Sequence, residues 1–327
     1  MKFQRICLSL TSLLVTALTP AFIFAADRDA STQILKWKDG KKAVFMLAFD
    51  DSAPSQLKNV VPELERRKMV GNFYLVTGNS LYSALKRRWE DAAKSPYVAV
   101  ANHTFTHKGV DNAVELEPEL ALCNEVLYKL KPEGKQPRLF GFGRPGGVPW
   151  KVTAEEQKTA LAKHQLCDRP PFFGPPIHYK SAAETVAAVD AAIAKGEMGH
   201  LDFHGVGEDW LVTPVEWFTA LLDKLESVRE EVWITDVVSW HQYVTERSSA
   251  EIKSLKSDQD AISLELTCRA DPVLYDMPLT LSTQVPADWK KSTVTQGSSS
   301  LTATVRDGKA QYDALPGGGV ITLKKAE

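Results

Sequence analysis

The chain has 327 residues, of which 39 are Lys or Arg and 41 are Asp or Glu, so its formal net charge is −2. This length exceeds what one small core needs and predicts one large domain accompanied by a smaller one. The slight acidity, without any basic run of five or more residues, argues against nucleic acid as a partner.

The first 25 residues predict a secretory signal peptide, because Lys2 and Arg5 precede a mostly apolar stretch that ends in Ala25 and Ala26. The mature chain is then expected to begin near Ala26 and to be periplasmic or secreted, with no later segment able to span a membrane. An uncleaved N-terminal anchor is the alternative, which the short and interrupted apolar stretch disfavours. The mature chain keeps three cysteines without CxxC spacing, so one disulfide at most can form, and buried thiols are the default expectation.

Between residues 43 and 225, apolar strand-like runs alternate with helical stretches, the pattern of an α/β domain with a mainly parallel sheet. The predicted strands are 44–49, 71–76, 98–100, 139–142, 201–203 and 232–234. Helices are predicted near 153–164, 182–195 and 214–228. Capping-box pairs mark their starts: Thr153 with Glu156, Ser181 with Glu184, and Thr213 with Glu216, where Pro214 suits the first helical position.

After residue 247 the composition changes to polar residues and then to Thr-, Val- and Leu-rich alternations without a clear helix. Asp307-Gly308 and the three glycines 317–319 separate short apolar runs, as hairpin turns would. These features predict a catalytic domain at 26–247 and a small β-sandwich-like accessory domain at 256–327. A structural cap is the favoured role for the latter over carbohydrate binding, because Trp289 is its single tryptophan.

Two adjacent carboxylates, Asp50 and Asp51, end the first strand-like run. Successive side chains of a strand point to opposite faces, so both can share one site only where the backbone turns. The Ser-Ala-Pro sequence that follows predicts such a turn. Taken alone, the pair is better explained as a solvated strand end or a helix cap.

Two histidines, His103 and His107, are four residues apart, so one helical turn would place both imidazoles on one side. The spacing alone is modest evidence for a metal site. Together with the aspartates, however, it offers one carboxylate and two imidazoles to a divalent metal and leaves a second carboxylate beside them. That is the inventory of a metal-dependent hydrolase.

Five blocks of sequence occur in an order that resembles the polysaccharide deacetylases with a NodB-like domain, carbohydrate esterase family 4. They are AFDD at 48–51, GNFYLV at 71–76, HTFTH at 103–107, GRP at 143–145 and LDFH at 201–204. The resemblance covers about residues 40 to 247. It implies a distorted (β/α) barrel with the small all-β domain following it.

The resemblance also implies roles for individual residues. Asp51, His103 and His107 would hold the metal, most commonly Zn²⁺, with Co²⁺, Mn²⁺ and Ni²⁺ as alternatives. Asp50 would be the general base that takes a proton from the attacking water, and Arg144 would pair with Asp50 and keep it ionised. His204 would be the general acid for the leaving group.

Three departures from the family pattern concern the acyl pocket. Gly146 follows the arginine and proline where an aromatic residue is usual, so one oxyanion donor is unassigned. Asp202 stands where a leucine is usual, and it would either orient His204 or make the pocket more polar. The usual tryptophan-and-aspartate motif is not evident, and Asp168 is a weak candidate for its aspartate.

Aromatic residues between the blocks could stack on sugar rings, although ordinary loop packing explains any one of them as well (Trp150, Phe172, Phe173, Tyr179, Trp210). Trp210, six residues after His204, is the first of them to test.

The sequence therefore predicts an exported, metal-dependent deacetylase that removes N- or O-acetyl groups from a polysaccharide or oligosaccharide. The alternatives are a metal-dependent hydrolase of another non-peptide C–N bond and a glycan-binding protein without catalysis. The glycan, the bond type and the oligomeric state stay open.

Overall fold

The computed structural model describes residues 31–170 and 179–327. The predicted signal peptide lies outside these residues, as do Phe172 and Phe173. The strands are β1 Thr32–Ile34, β2 Ala43–Asp50, β3 Gly71–Leu75, β4 Val98–Asn102, β5 Phe140–Phe142, β6 Leu166–Asp168, β7 Met198–Phe203, β8 Val232–Ile234, β9 Ala250–Ser257, β10 Ala261–Cys268, β11 Leu279–Gln284, β12 Lys291–Gln296, β13 Ser299–Arg306, β14 Lys309–Ala314 and β15 Ile321–Lys325. The α-helices are α1 Val61–Arg67, α2 Ser80–Ala92, α3 Ala113–Leu130, α4 Ala154–Lys163, α5 Ala182–Lys195, α6 Val215–Ser227 and α7 Val237–Ser249.

A parallel sheet with the order β6-β5-β4-β3-β2-β7 forms the first half of the fold, and β8 pairs with the first residues of β2. Every residue of the central strand β2 is buried, as expected for a parallel strand covered on both faces. The hydrogen-bonded path ends at β6 on one side and at β7 on the other. The predicted distorted (β/α) barrel is confirmed, in the form of an open half-barrel.

All six predicted strands of this sheet are present, but the three-residue strand β6 and the helices α1, α2, α3 and α7 were not predicted from the sequence. The capping box of Thr153 with Glu156 is complete, and Ser181 accepts a hydrogen bond from the backbone N–H of Glu184. The predicted cap at Thr213 is wrong. Helix α6 begins after Pro214 without a side-chain cap, because Thr213 instead pairs with the 205–207 backbone.

Stacked aromatic rings hold the central strands together near their carboxyl ends. The ring of Phe49 lies 4.9 Å from that of Phe73 and 5.6 Å from that of Phe203, and Phe218 of α6 packs edge-on against both Phe49 and Phe203. Buried rings of this size contribute several kcal/mol each when they are fully packed, on the order of 3–5 kcal/mol by truncation to Ala. The packing fixes the strand ends from which the candidate site residues project.

The second half of the fold is an antiparallel all-β region with the order β1-β11-β14-β13-β12-β15-β10-β9. Strand β13 joins its two parts, since residues 299–304 pair with β12 while Val305 and Arg306 pair with β14. Its strands begin at Ala250, before the predicted boundary at 256, and β1 joins it from the other end of the chain. The predicted hairpin at Asp307-Gly308 is confirmed, with both residues at positive φ.

The three cysteines of the described residues are free thiols. Cys123 and Cys167 are buried, as expected from the sequence, and Cys268 is partly buried. Over residues 31–170 and 179–327, none of the helices combines the length and apolar character needed to cross a membrane.

Candidate metal centre and catalytic groups

A left-handed turn brings the two adjacent aspartates to one site. Asp50 is the last residue of β2, and the next two residues, Asp51 and Ser52, have φ values of 70° and 59°. Such values are uncommon away from glycine and are typically stabilised by surrounding contacts. Here Ser52 Oγ accepts a hydrogen bond from the N–H of Val76 at 3.0 Å, and Gln56 Nε2 donates to the Asp50 carbonyl at 2.6 Å. The predicted turn after β2 is confirmed.

The two histidines come from a loop after β4, and the predicted helical turn is wrong. Thr104 and His107 both have positive φ, at 65° and 57°. The side chain of Asn102 accepts a hydrogen bond from the N–H of Thr104 at 2.8 Å, and Thr104 Oγ1 accepts one from the N–H of His107 at 3.1 Å. These side-chain bonds replace helical backbone bonds. The two imidazole rings nevertheless meet, with their centroids 5.0 Å apart.

Three potential ligands converge at this point. Asp51 Oδ1 lies 3.4 Å from His103 Nε2 and 3.2 Å from His107 Nε2, and one ligand atom of each residue lies within 4.8 Å of the others. Ligand atoms held about 2.0–2.1 Å from a tetrahedral ion are about 3.3 Å apart. The spacing of the carboxylate oxygen from both imidazole nitrogens therefore fits a small divalent cation.

The hydrogen bond of His103 strengthens this fit. Its Nδ1 lies 2.7 Å from the carbonyl oxygen of Gly143, which can only accept, so Nδ1 carries the proton and Nε2 presents a lone pair in the neutral ring. A ligating histidine is commonly held in this way. Asp51 Oδ1 is also buried without a hydrogen-bond donor among the described residues. A cation would satisfy both groups, which otherwise face each other as acceptors.

The arginine paired with Asp50 is Arg169, and the prediction of Arg144 for this role is corrected. The Arg169 guanidinium binds both oxygens of Asp50, with Nη1 at 2.8 Å and Nη2 at 2.9 Å. Arg169 directly follows β6, the strand that the sequence analysis missed. Arg144 is exposed and lies over the ring of Trp150, with its guanidinium carbon 5.3 Å from the centroid.

Asp202 holds the same guanidinium from the opposite edge of the sheet. Its Oδ2 lies 3.0 Å from Arg169 Nη1, and its side chain has no exposed surface. Asp202 is on β7 and Arg169 follows β6, so this ion pair spans the open side of the half-barrel. Among the described residues its side chain contacts Arg169 and makes no hydrogen bond or ion pair with His204, so it does not orient His204 directly.

Burial and neighbouring charges shift the pKa values of the two carboxyl groups around Arg169 in opposite directions. Burial raises the pKa of Asp50, but the Arg169 guanidinium, together with His103 and His204, outweighs burial and holds the pKa of that carboxyl below its usual value. Burial raises the pKa of Asp202 well above its usual value, and the negative charge of Asp50 adds to the effect. Asp50 is thus the carboxylate kept ionised, as a general base requires.

His204, at the end of β7, faces the metal ligands from the other side. Its Nε2 lies 3.7 Å from Asp51 Oδ2, and its Nδ1 is buried without a hydrogen-bond partner among the described residues. Burial lowers the pKa of His204, so a proton on its ring is given up readily. This position and acidity suit a proton donor to a leaving group.

Of the three remaining predicted residues, Trp210 contacts the candidate metal ligand Asp51, whereas Gly146 and Asp168 make no hydrogen bond or ion pair with the candidate ligands among the described residues. Trp210 Nε1 donates a hydrogen bond to Asp51 Oδ2 at 2.9 Å, while 38% of the residue stays exposed. Gly146 is exposed, and a side chain there would meet nothing within 4 Å. Asp168 accepts a hydrogen bond from Gln157 at 2.8 Å.

Fold and site together define an α/β domain with a candidate divalent-cation centre at the carboxyl ends of its parallel strands. Residues 38–163 match the family model of the polysaccharide deacetylases, the family that the sequence blocks resemble.

Individual relatives are more distant. A gellan lyase from Bacillus sp is 30% identical over 107 residues, which are 32% of this chain and 4% of that protein, so the chain spans a small part of its length. Among solved structures, a proposed polysaccharide deacetylase from Mycobacterium smegmatis is similar with a TM-score of 0.48 at 13% identity, covering 62% of this chain and 90% of the other. A family 4 carbohydrate esterase from Streptomyces lividans has a TM-score of 0.39 at 14% identity, covering 60% and 94%. A CE4 family pseudoenzyme from Bacillus anthracis has a TM-score of 0.42 at 17% identity, covering 58% and 63%.

Proposed function

We propose that this chain is an exported, metal-dependent deacetylase that hydrolyses acetyl groups of a polysaccharide or oligosaccharide. The observation that carries the proposal is the convergence of Asp51, His103 and His107 on one point, next to an aspartate kept ionised by Arg169. A bound divalent cation, with Zn²⁺ as the first candidate, would polarise the acyl carbonyl and lower the pKa of a water molecule.

The chain's own groups supply the proton transfers. Asp50 Oδ2 lies 3.5 Å from His103 Nε2, so the base sits against the candidate ligand cluster without being part of it. It takes the proton from the attacking water. His204, in its protonated form, gives a proton to the departing sugar oxygen or nitrogen. The same two groups serve an ester and an amide, so both bond types belong in the first assay.

The alternative of another C–N bond hydrolase was motivated by a polar acyl pocket. Asp202 is fully buried and contacts Arg169, the partner of the base, which gives no positive support to that alternative. Acetyl is the acyl group we propose, because it is the group that the family resemblance implies. A binding protein without catalysis would have no use for an ionised base and a proton donor on either side of a metal site.

The test is release of acetate from a panel of N-acetylated chito-oligosaccharides, peptidoglycan, O-acetylated xylan and gellan, the last because one relative is a gellan lyase. Protein stripped with chelator is assayed with Zn²⁺, Co²⁺, Mn²⁺ or Ni²⁺ restored. We expect acetate release that chelator abolishes and metal restores. Glycan binding without acetate release in any combination would favour the binding protein.

Asp50→Asn separates the base from the ligands. The variant is expected to lose at least about 100-fold in kcat, as removal of a general base does, while calorimetry shows unchanged metal binding. Loss of metal binding would instead mean that Asp50 is a ligand. Asp51→Asn is the matched comparison, since it should lose both the metal and turnover.

A further inference from the structure

Trp210 combines a contact to a candidate metal ligand with an exposed aromatic ring. Its indole N–H donates to Asp51 Oδ2, the oxygen that does not face His103 and His107. More than a third of the residue is exposed beside this carboxylate. A tryptophan anchored by its polar edge leaves its apolar faces available to a ligand.

The loop that carries Trp210 is held rigidly. Gly205 accepts a hydrogen bond from the N–H of Thr213 at 2.9 Å and donates its own N–H to the carbonyl of Trp210 at 3.0 Å. Both neighbours of Trp210, Asp209 and Leu211, have positive φ values of 77° and 47°. Non-glycine residues persist in this conformation where the surroundings impose it, and such positions cluster at functional sites.

The same loop is fastened to the segment that follows the aspartates. Asp209 Oδ2 accepts a hydrogen bond from the N–H of Ser55 at 2.7 Å, and Ser55 Oγ accepts one from the N–H of Val206 at 3.0 Å. Asn59 Nδ2 donates to the carbonyl of Val206 at 2.7 Å. These bonds fix the indole relative to Asp51 before any ligand arrives.

We propose that Trp210 is a sugar-binding platform locked to the metal centre: its ring face binds the pyranose that carries the acyl group, and its N–H holds Asp51 in ligating orientation. The apolar C–H face of a pyranose stacks on an aromatic ring. Two further apolar residues of the same stretch, Val212 and Val215, are also exposed. The sugar half of this proposal rests on the proposed function, whereas the Asp51 half does not.

Two substitutions separate the two roles. Trp210→Phe keeps a ring face but removes the N–H donor, so we expect the Kd for Zn²⁺ to rise about tenfold, the lower end for loss of a ligand's hydrogen-bond partner. Trp210→Ala removes both, and should raise the Kd for Zn²⁺ and also weaken glycan binding about tenfold. Trp150→Phe is the matched control for zinc binding, since its indole N–H donates to Gln157 instead.

Zinc binding is measured by calorimetry on chelator-stripped protein, with circular dichroism to verify folding. Glycan binding is measured at saturating zinc with tetra-N-acetylchitotetraose and acetylated xylo-oligosaccharides, in the Asp50→Asn background, so that turnover does not interfere. Unchanged zinc affinity in Trp210→Phe would overturn the orienting role. Unchanged glycan affinity in Trp210→Ala, with wild-type affinity measurable, would overturn the platform. Absence of acetate release from the wild-type protein would refute the proposed function and leave the zinc measurement valid.

Discussion

Replacing Arg169 by Met tests how much one guanidinium stabilises the two buried carboxyl groups that it contacts, of which Asp50 is the ionised one. The side chains of Arg169, Asp50 and Asp202 are exposed by 6%, 5% and 0%, so water cannot replace the lost charge. Removing one partner of a buried ion pair costs about 3–5 kcal/mol, because the remaining charge is left uncompensated. We expect Arg169→Met to lose about that much stability in urea unfolding of the metal-free protein.

The second carboxylate provides the decisive comparison. Asp202→Leu alone leaves the two-bond pair of Arg169 with Asp50 intact but removes one partner of the guanidinium, so it should destabilise the fold slightly, by up to about 1–2 kcal/mol. Added to Arg169→Met, the same change removes one uncompensated carboxyl and should restore at least about 1 kcal/mol. The effect of Asp202→Leu on the free energy of unfolding thus changes sign between the wild-type and the Arg169→Met backgrounds.

Arg144→Met is the control, since an exposed arginine over an aromatic ring contributes about 0.5–1 kcal/mol. The reasoning is refuted if Arg169→Met costs no more than this control, or if Asp202→Leu destabilises both backgrounds equally. Acetate release should also separate the arginines, with kcat reduced about 100-fold in Arg169→Met because the base loses its charge partner.

Three further predictions concern the metal, the pH dependence of stability and the Trp210 loop. His107→Ala should weaken zinc binding at least about 100-fold and abolish the rise in Tm that zinc gives, as measured by calorimetry and thermal unfolding. Burial raises the pKa of Glu246 from 4.5 to about 7, so the folded state binds more protons than the unfolded state between these values. The stability that the protonated Glu246 contributes is present below about pH 4.5 and is lost as the pH rises through 7. Glu246→Gln should therefore be more stable than wild type by about 1–3 kcal/mol at pH 8. An equal difference in unfolding free energy between variant and wild type at pH 4 and pH 8 would contradict this. Gly205→Ala would place a Cβ atom 2.1 Å from the Glu208 carbonyl oxygen; it should lower Tm by the equivalent of about 1–3 kcal/mol, and an unchanged Tm would show that the loop yields freely.

The place of the two aspartates in the fold follows from local sequence. The apolar run before Asp50 predicts a buried strand, and the Ser-Ala-Pro sequence that follows predicts a turn, so the aspartates were expected at the carboxyl end of a strand, where the structure has them. The histidine loop shows where local patterns mislead. Spacing of four residues predicted a helical turn, but the Asn102 and Thr104 side chains bind the loop backbone and bring the rings together without a helix.

The arginine and its second carboxylate could not be found in this way. Arg169 follows strand β6 and is separated from Asp50 by 119 positions in the chain, so no local pattern connects the two residues. Arg144 had the sequence context but points to Trp150 instead. Likewise, the pairing of β1 with β11 joins opposite ends of the chain, which composition cannot reveal.

The sequence by itself determined the α/β class, the aspartate pair, the histidine pair and the resemblance to the polysaccharide deacetylases, because each is encoded by residues close together in the chain. The tertiary structure alone decided which arginine keeps Asp50 ionised, why Asp202 is buried, and that Trp210 holds Asp51. These choices depend on how strongly the parallel sheet curls. That curvature brings β6 towards β7 at the open side of the half-barrel, and it results from packing between distant strands and helices.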